Sequence, residues 1–523
     1  MNRFILMTFL IYLCGTVNAQ NIFQKTFGGT NSDAANSCLQ TSDGGYIMVG
    51  NTESFVQGVQ DIYLVRADSL GNNLWTKTYN ATGNDDNGSF VQQTSDGGFI
   101  IVGEAHWGVN DYDVLLIKTD ANGDTLWTRT YGVPTYDERG YCVRQTSDGG
   151  YIVAGNAGVG LIYNVYLLKI DSSGNMQWNK SFGGTNDDKG SSVRQTFDGG
   201  YIVCGSTISF GAGSRDVYLI KTDLNGDTIW TKTYGGSMSD NGYDVIQIAD
   251  SGFVFSGSSA SGSSGDKFYL GKTDVNGNLF WTKSYTYGSL NKGSSLQETT
   301  DGSLIVAGTI LLIPLYSGQA FLFKTDAAGS LLWAKHIGSN LGETASSVQQ
   351  TTDGGFILAG SAGSFGTGMG DIYLIKTDSL GNSGCNSFNV FVLSSTEASI
   401  VSSVPTVVTT PLTITTYPPT EIGSGGIVTT QCESVGLVEN NETNFGIYPN
   451  PSIGRFVVEF NHLILAGRIE ILDMPGEIVY SENLSNDSRF EIDLNGISTG
   501  IYLIKLIEAG KINYRKIIIE RFR

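Results

Sequence analysis

A short phrase recurs seven times along this chain, and no other feature constrains the fold as strongly. Each copy has, with small variations, a Gln-Thr-x-Asp-Gly-Gly turn, an apolar segment and Asp-x-Tyr-Leu-x-Lys-Thr-Asp, usually followed by Trp. Repeats of this length are supersecondary units that bury their faces only against one another. The turn aspartates, 50 to 53 residues apart, are Asp43, Asp96, Asp148, Asp198, Asp250, Asp301 and Asp353.

Each repeat divides into four short strands, with Gly and Asp-Gly as boundaries. In the second copy the predicted strands are residues 90–93, 99–102, 114–118 and 126–130. The joints between the first and second strands, and between the third and fourth, are rich in residues that tolerate positive φ, which is typical of hairpin turns. Seven units of four antiparallel strands predict an all-β fold whose main domain is a seven-bladed β-propeller.

The two ends of the repeat region complement each other. The seventh copy has no Trp strand after Asp378. Before the first copy lies an orphan segment, Phe23 to Gly29, that matches the fourth-strand segment Trp230 to Gly236. This N-terminal strand is therefore predicted to complete the last blade. Such a shared blade closes the ring and removes the open sheet edges that promote aggregation.

Composition changes mark four regions. Residues 1–19 have the layout of a cleavable secretory signal, with a lipoprotein signal ending at Cys14 as the alternative. Residues 20–384 hold the repeats, and residues 385–436 are a Thr/Val/Pro-rich segment that reads as an extended spacer. Residues 437–523 have short alternating strands, typical of an immunoglobulin-like β-sandwich of about seven strands.

Net charge and hydropathy restrict the partners. The formal charge is −19 with no basic stripe, which argues against nucleic acid and anionic membranes. Beyond the signal, no apolar stretch is long enough for a transmembrane segment.

Five cysteines follow the signal. Cys38, Cys142 and Cys204 fall on or beside apolar strand positions and are predicted to be small buried hydrophobes. Cys385 and Cys432 lie at either end of the predicted spacer, and we expect a disulfide between them, with two free thiols as the alternative.

An acidic position recurs ten residues before each turn aspartate. Its carboxylates would form a ring near the start of the innermost strands, where they either accept hydrogen bonds from loop amides or face a ligand or cation. The first interpretation is favoured because functional sites usually break repeat symmetry. The residues are Asp33, Asp86, Glu138, Asp188, Asp240 and Glu343, with Asn291 in the sixth copy.

The loops between second and third strands vary most between copies, and variable loops on a rigid scaffold often bind ligands. Trp107, in one of these loops, is the only Trp outside the fourth-strand position. It either stacks on a sugar or partner, or packs its own loop, and the second interpretation is favoured.

Catalytic and metal chemistry have little sequence support. The chain has three histidines, His106, His336 and His462, so metal cages and Ser-His-Asp triads have few candidates. A carboxylate-pair glycosidase stays an alternative. The Asp120-x-Asn122-Gly123-Asp124 turn resembles some calcium loops, but a hairpin turn fits it better. No catalytic residue and no cofactor is therefore predicted, with Ca²⁺ left open.

The final segment carries four motifs in order. Tyr448-Pro449-Asn450-Pro451 with Gly454 comes first, a strand ending at Gly476 follows, then Gly500-Ile501-Tyr502, and last a segment that begins at Lys516. Together they resemble the type A C-terminal sorting domain of the type IX secretion system of Bacteroidota. The resemblance implies Sec export to the periplasm, recognition by the type IX machinery, and passage to the cell surface or medium.

The repeat region is similar to short-period (delta-60-like) propeller repeats of secreted bacterial proteins, a family that supplies a fold and no catalytic residues. The combined prediction is a secreted or cell-surface propeller that binds an extracellular glycan or protein. Two alternatives remain open, an extracellular carbohydrate-active hydrolase and a structural surface-coat protein.

Overall fold

A computed structural model describes the chain at residues 20–56, 60–108, 111–134, 136–160, 162–261, 265–288, 290–312, 317–339, 341–366, 368–396, 400–403, 413–415, 420–423, 427–436, 445–448, 450, 452, 454–473, 478–494, 496–498, 500–508 and 511–519. These residues form strands and loops, and none of them lies in a helix. The chain divides into two compact units, Gln20–Gly436 and a second that includes Leu437–Arg523. The predicted signal, residues 1–19, and its alternative at Cys14 lie outside the described residues.

The first unit contains seven antiparallel sheets. Strand β1 (Gln20–Gly28) belongs to the seventh of them. Sheet 1 consists of β2 (Asp33–Gln40), β3 (Tyr46–Thr52), β4 (Asp61–Ala67) and β5 (Asn73–Asn80). Sheet 2 consists of β6 (Asp86–Gln93), β7 (Phe99–Gly108), β8 (Asp111–Thr119) and β9 (Thr125–Gly132). Sheet 3 consists of β10 (Asp137–Gln145), β11 (Tyr151–Val159), β12 (Ile162–Ile170) and β13 (Met176–Phe182).

The remaining sheets repeat this order. Sheet 4 consists of β14 (Asp188–Gln195), β15 (Tyr201–Thr207), β16 (Asp216–Thr222) and β17 (Thr228–Gly235). Sheet 5 consists of β18 (Asp240–Gln247), β19 (Phe253–Ser259), β20 (Lys267–Thr273) and β21 (Leu279–Thr286). Sheet 6 consists of β22 (Leu290–Glu298), β23 (Leu304–Leu312), β24 (Ser317–Thr325) and β25 (Leu331–Ile337). Sheet 7 consists of β26 (Ser347–Gln350), β27 (Phe356–Ala362), β28 (Asp371–Thr377) and β1.

The predicted four-strand repeat is present, and four-stranded antiparallel sheets of this kind are typical of propeller blades. The strands extend further than predicted toward the end that carries the loops between second and third strands, which we call the loop face. For example, β7 runs to Gly108, where the apolar pattern predicted an end at residue 102. The ladder with β8 continues there between polar residues such as His106 and Tyr112, which a hydrophobic pattern does not detect.

Strand β1 pairs antiparallel with β28, from Phe23↔Lys376 to Phe27↔Ile372. The two strands come from opposite ends of the repeat region, as the orphan-strand argument predicts. The same contact brings apolar residues of sheet 7 and sheet 1 into one cluster that includes Phe23, Phe27 and Tyr46.

The core of the first unit lies between sheets rather than within one centre. Each buried apolar cluster joins one sheet to the next, for example Ile101 and Ile117 of sheet 2 with Ile47 and Leu64 of sheet 1. The second and third strands are buried on both faces, which explains their continuous apolar runs. Because every sheet packs on two neighbours, no repeat has a complete core of its own.

The Trp of the fourth strand explains the Asn-Gly of the neighbouring turn. A Cβ added at Gly123 would lie 2.8 Å from Cη2 of Trp75 in the preceding sheet, so only glycine fits beneath the ring. Tyr79 of the same strand donates a hydrogen bond to the Gly123 carbonyl at 2.6 Å. The Lys77 ammonium donates to Asp124 at 2.9 Å. One strand thus holds the next sheet's hairpin through three different contacts.

Strand β1 makes the equivalent contacts with sheet 1. Phe23 takes the place of Trp over Gly71, whose added Cβ would lie 2.6 Å from Phe23 Cε2. Lys25 donates to the Asn72 side chain at 2.8 Å, as Lys77 does to Asp124. The N-terminal strand therefore acts on sheet 1 as the other fourth strands act on their successors.

The segment predicted to be a spacer differs from that expectation. Its strands pair antiparallel with the outer strands of six sheets, in the order 6, 5, 4, 2, 1 and 7. We call these strands the outer belt. They are β29 (Ser387–Asn389), β30 (Leu393–Thr396), β31 (Ile400–Ser403), β32 (Thr413–Thr415), β33 (Thr420–Gly423) and β34 (Ile427–Gly436).

The belt runs against the direction of the repeats and ends beside the N-terminal strand. Its last member, β34, pairs with β1 from Gln20↔Gly436 to Gly28↔Ile427. Composition does not predict the belt strands, because isolated Thr/Val segments form strands only where an existing sheet edge offers backbone partners. In sheet 3 the described residues supply four strands, and residues 404–412, between β31 and β32, lie outside them.

The second unit has seven strands among its described residues, arranged in sheets of three and four. Their order in the sheets is β35-β36-β39 and β38-β37-β40-β41. The buried face of the unit includes Phe456, Ile469 and Ile504. The strands are β35 (Phe445–Tyr448), β36 (Arg455–Ile464), β37 (Gly467–Leu472), β38 (Ile478–Leu484), β39 (Asp487–Asp493), β40 (Gly500–Glu508) and β41 (Lys511–Ile519).

Candidate binding site between the first strands

One cavity of about 530 Å³ is lined by the first strands of all seven sheets. The lining residues occupy equivalent positions in the first strand of each repeat. The position just before the Gln of the turn motif reads Leu39, Gln92, Arg144, Arg194, Ile246, Gln297 and Gln349. Two positions upstream of it the residues are Ser37, Phe90, Cys142, Ser192, Asp244, Ser295 and Ser347.

The repeat symmetry breaks in this cavity. At the two compared positions, sheets 6, 7 and 1 have serine, glutamine and one leucine, Leu39. The same positions in sheets 2 to 5 include Phe90, Arg144, Arg194 and Asp244. Repeat positions that link neighbouring sheets, such as the turn glutamines, largely keep their residue type. The lining positions do not, so the part of the cavity lined by sheets 2 to 5 is the candidate binding site.

Asp244 connects three sheets across one side of the cavity. Its carboxylate accepts from the Ser192 hydroxyl at 2.6 Å and from the Arg194 guanidinium at 3.2 Å, both in sheet 4. It also accepts from the backbone amide of Leu296 in sheet 6 at 3.1 Å. Asp244 is buried, and these donors compensate its charge.

Arg144 has a different environment. Its guanidinium carbon lies 4.3 Å from the centre of the Phe90 ring, in a cation–π contact. The side chain is half-buried and lines the cavity together with Tyr141 and Cys142 of the same strand. Unlike Arg194, it forms no ion pair with any residue in the described part of the chain.

A second cavity of about 360 Å³ lies toward the loop face, lined by Asn36, Asn51, Asn87, Ser89, Glu104 and Tyr141. Glu104 is buried, and its pKa is raised by burial, although Arg139 at 3.6 Å opposes the shift. Arg139 in turn lies 4.0 Å from the centre of the Tyr112 ring. Tyr141 lines both cavities.

The predicted acidic ring lies where the first strands begin, but its carboxylates are buried and turned toward the loops between sheets. Asp33 accepts from the Gly29 amide at 2.8 Å and the Ser54 hydroxyl at 2.6 Å. Asp188 accepts from the Gly184 amide at 2.7 Å, and Asp240 accepts from the Gly236 amide at 2.7 Å. This geometry favours the interpretation in which the ring ties down loop amides.

The other members have the same kind of partner. Asp86 accepts from the Ala81 amide at 2.6 Å, Glu343 from the Ser339 amide at 2.8 Å, and Glu138 from the Val133 amide at 3.4 Å. The side chain of Asn291 lies outside the described residues. None of the six carboxylates lines either cavity.

Glu138 accepts the longest of these hydrogen bonds, from Val133 at 3.4 Å. Burial raises its pKa to about 8, although the weak bond from Val133 opposes the shift, and the neighbouring Asp113 charge adds to it. Burial likewise raises the pKa of Asp113 to about 6. An added Cβ at Gly132 would lie 1.7 Å from Asp113 and 3.1 Å from Glu138, so both carboxyls crowd one glycine at the junction of sheets 2 and 3.

Trp107 donates its indole N–H to Asp113 at 3.0 Å and packs, partly buried, beside the cluster that joins sheets 1 and 2. This contact favours packing within its own hairpin. In the calcium-like turn, Asp120 accepts from the amides of Asn122 at 2.8 Å and Asp124 at 2.9 Å, as a hairpin turn does. Across the described ranges no group of three or more His, Cys, Asp or Glu is placed to hold a metal ion.

Cys38, Cys142 and Cys204 are buried free thiols, as predicted. Cys385 is in a disulfide. The Gln24 side chain in β1 donates to the Cys385 carbonyl. Gln24 is also the register partner of Cys432 in β34, so the backbones of both cysteines lie next to Gln24. The Cys432 side chain lies outside the described residues, and its pairing with Cys385 stays a prediction.

The predicted sorting motifs lie at strand ends of the second unit. The Asn450 side chain accepts from the Ile518 amide at 2.9 Å, and the Gly454 carbonyl accepts from the Leu494 amide at 2.7 Å. Gly500 begins β40, and the buried Tyr502 donates to the Ser498 carbonyl at 2.9 Å. Tyr448 ends β35 and is exposed. Pro449, Pro451, Gly476 and the side chain of Lys516 lie outside the described residues.

The fold and the cavity define the class of protein: an all-β repeat protein whose sheets resemble propeller blades, followed by a separate β domain. Residues 446–520 match the secretion system C-terminal sorting domain, so this domain is a type IX secretion sorting domain. It indicates export followed by surface attachment or secretion, and implies interaction with the type IX machinery. In the described part of the chain, no helix is long and apolar enough to cross a membrane.

Solved structures with similar arrangements are distant. Sqt1 from Chaetomium thermophilum is 11% identical with a TM-score of 0.38, and the match covers 69% of this chain and 99% of that one. A β-fructofuranosidase from Bombyx mori is 11% identical with a TM-score of 0.28, covering 72% and 93% of the two chains. A putative glycoside hydrolase from Parabacteroides distasonis is 10% identical with a TM-score of 0.23, covering 51% and 93%. No curated protein matches the sequence.

The cavity residues Phe90, Arg144, Arg194 and Asp244 were not among the sequence candidates. The sequence candidates were instead the acidic ring, which recurs in every copy, and the loops, which differ between copies. A column-by-column comparison of the first strands would have detected the cavity residues, since two arginines and one aspartate occupy positions where other copies have apolar side chains, serine or glutamine.

Proposed function

We propose that this protein is a secreted or cell-surface binding module in which seven sheets close into a seven-bladed propeller. In this proposal its central cavity binds an extracellular glycan. The supporting observation is that one cavity contacts the first strands of all seven sheets and that its lining residues differ between repeats. The separate C-terminal domain, which we propose to be immunoglobulin-like, carries the chain outward.

Closure is supported by contacts between the last sheet and the first. Phe23 packs over Gly71, and Lys25 donates to Asn72, in the same way as fourth strands contact their neighbours elsewhere. Apolar residues of sheets 7 and 1 share one buried cluster. These contacts leave sheet 7 with neighbours on both sides, as a closed ring requires.

The cavity chemistry favours a saccharide over an apolar ligand. Its volume of about 530 Å³ lies in the range of small-molecule sites, about 300–1,000 Å³. Serine hydroxyls and glutamine amides provide hydrogen-bond partners for sugar hydroxyls, and Phe90, Tyr141 and Tyr243 offer aromatic surface. A protein partner would instead need a larger exposed interface.

The hydrolase alternative requires a second carboxylate. A glycosidase uses two carboxyl groups about 5 to 9.5 Å apart. Among the described residues that line the larger cavity, Asp244 is the single carboxylate, and Arg194 and Ser192 engage it. The coat alternative predicts no soluble ligand, so the same binding experiment tests it.

The test is a glycan and polysaccharide screen on the purified exported chain, with calcium and again with chelator. We expect saturable binding that does not depend on calcium and that Tyr141→Ala weakens. Tyr136→Ala is the matched control, because Tyr136 is exposed and outside the cavities. No binding in either condition contradicts the proposal and favours a protein partner or a coat. Turnover of a bound glycan would favour the hydrolase.

A further inference from the structure

Arg144 is a half-buried cation that lines the cavity and has no counterion among the described residues. The basic residue of every third strand pairs with its turn aspartate, as Lys118 does with Asp96 at 2.9 Å. Arg194, at the equivalent position in the next sheet, pairs with Asp244. Arg144 has its Phe90 contact, yet no carboxylate among the described residues lies within ion-pair distance. A half-buried charge without a partner is costly unless something else neutralises it.

The lack of a carboxylate partner distinguishes Arg144 from Arg194, the other arginine of the cavity. The chain is rich in carboxylates, with a net charge of −19. Arg194 of sheet 4 has one as its partner, Asp244 of sheet 5. The equivalent neighbour of Arg144 is Ser192, a side chain without charge at the position that holds Asp244 one sheet further on. The cavity therefore holds one uncompensated positive charge beside aromatic and hydroxyl groups.

We propose that the cavity recognises an acidic sugar residue, with its carboxylate or sulfate held by the Arg144 guanidinium. The inference rests on the proposed glycan-binding function and names the ligand class. Arginine suits this task because its planar donors match an oxyanion in two-point contacts. The guanidinium carbon lies 4.3 Å from the centre of the Phe90 ring, so Phe90 covers one side of the group.

The ligand presents one anionic group to the cavity rather than a run of charges. A polyanion lying along the surface would be repelled by a protein of charge −19. A single oxyanion in the cavity would instead lie beside Arg144, a lining cation without a carboxylate partner among the described residues. We therefore expect recognition of a terminal acidic residue or a free acidic monosaccharide.

The experiment is calorimetric titration of the full exported chain with glucuronate, galacturonate and glucose 6-sulfate, against glucose and galactose. We expect at least one acidic sugar to bind about tenfold to a hundredfold more tightly than its neutral counterpart, the range for a hydrogen-bonded charge. The preferred oxyanion distinguishes uronate from sulfate. Arg144→Gln should abolish the preference, and Arg144→Lys should keep part of it.

Arg129→Gln is the matched control, because Arg129 also makes a cation–π contact, with Trp127, but lies on an outer strand away from the cavity. This variant should bind as the wild type does. Equal affinity for acidic and neutral sugars, or an acidic preference that survives in Arg144→Gln, overturns this inference and leaves glycan binding intact. Absence of binding to every saccharide overturns the proposed function as well. If Arg144→Gln does not fold, the inference is tested by the acidic preference of the wild type and by its partial loss in Arg144→Lys.

Discussion

The side-chain oxygen of Gln40 accepts a hydrogen bond from the backbone amide of Thr352 at 2.8 Å, across a sequence separation of 312 residues. Five other turn glutamines make the same bond to the preceding sheet. The pairs are Gln93 with Ser42, Gln145 with Ser95, Gln195 with Ser147, Gln247 with Phe197 and Gln350 with Thr300. The Gln of the turn motif is thus a link between sheets, and the link from sheet 1 to sheet 7 has the same form as the others.

Substituting Gly71 tests the contact of β1 with sheet 1. Gly71→Ala places a methyl group 2.6 Å from the buried Phe23 ring. It also forces alanine to adopt a φ of +75°, which is unfavourable for a residue with a Cβ. Gly44→Ala is the control, because Gly44 has a φ of +85° but open space around its added Cβ. Both variants should lose about 1 kcal/mol from the backbone, and Gly71→Ala about 1 to 3 kcal/mol more from overpacking. Equal unfolding midpoints in urea would contradict the closure contact.

Two truncations test the outer belt. The chain of residues 20–436 keeps all six belt strands, whereas residues 20–384 keep none. We expect the shorter chain to melt at least about 5 °C lower, at roughly 2 °C per kcal/mol for large domains, because six sheets lose an outer strand and β1 loses one partner. Differential scanning calorimetry measures this. Coincident melting curves would show that the segment acts as a spacer.

Unequal burial predicts an asymmetric response in the Asp148–Lys169 pair. The Lys169 side chain is 3% exposed and Asp148 is 53% exposed, with 2.9 Å between their charged groups. Asp148→Asn leaves a buried ammonium uncompensated and should cost about 3 kcal/mol. Lys169→Met leaves a carboxylate in water and should cost about 1 kcal/mol or less. Urea unfolding at pH 7 compares them, and a larger loss for Lys169→Met would refute the argument.

Glu138 predicts a loss of stability as the pH rises. Its folded-state pKa is raised from the ordinary 4.5 to about 8, so the neutral acid favours the folded state. That contribution is complete below about pH 4.5 and disappears as the pH rises through 8. Thermal unfolding between pH 5 and 9 should show this decline. Glu138→Gln should reduce it, leaving the part near pH 6 to which Asp113, with its raised pKa, contributes.

The turn aspartates act in the opposite direction at lower pH. Although burial opposes it, hydrogen bonds from Thr146 and Lys169 lower the pKa of Asp148 to about 2. Stability from this group is present above its ordinary value of 3.8 and is lost as the pH falls toward 2. Glu138→Gln should therefore leave the acid limb unchanged. A variant with the wild-type slope above pH 5 would contradict the assignment to Glu138.

Removal of the second unit tests the export route. A chain ending at Gly436 keeps β34 but lacks the sorting domain matched at residues 446–520. We expect it to accumulate, folded, in the periplasm, while the full chain reaches the cell surface or the medium. Protease accessibility on intact cells measures the difference. Surface display of the truncated chain would contradict the sorting role.

Local chemistry made the repeat unit predictable from the sequence. Turn residues such as Gly44 adopt the positive φ that the Gly-Gly motif predicts, and Tyr46 begins the apolar strand that follows. The match of the segment at Phe23 with later fourth strands likewise predicted its pairing with β28. These features depend on residues close in sequence or on copies of one pattern, so they can be read without coordinates.

The candidate site was less accessible to that reasoning. Arg144 and Asp244 lie 100 positions apart, and their different charge balance depends on which neighbour faces each. At the boundary of sheets 3 and 4, Ser192 holds the position equivalent to a partner of Arg144. At the boundary of sheets 4 and 5, the equivalent position holds Asp244, which pairs with Arg194. A linear sequence lists these residues but does not say which of them surround one cavity.

The sequence by itself determined the strand count of each repeat, the hairpin chemistry, the orphan N-terminal strand and the identity of the C-terminal domain. Only the tertiary structure decided the place of the six belt strands and the cavity between the first strands. Thr and Val segments of the belt have no amphipathic signal of their own, because their backbone partners are supplied by sheet edges elsewhere in the chain. Interactions within a repeat are local, whereas belt pairing and cavity lining depend on how seven repeats are arranged around one another.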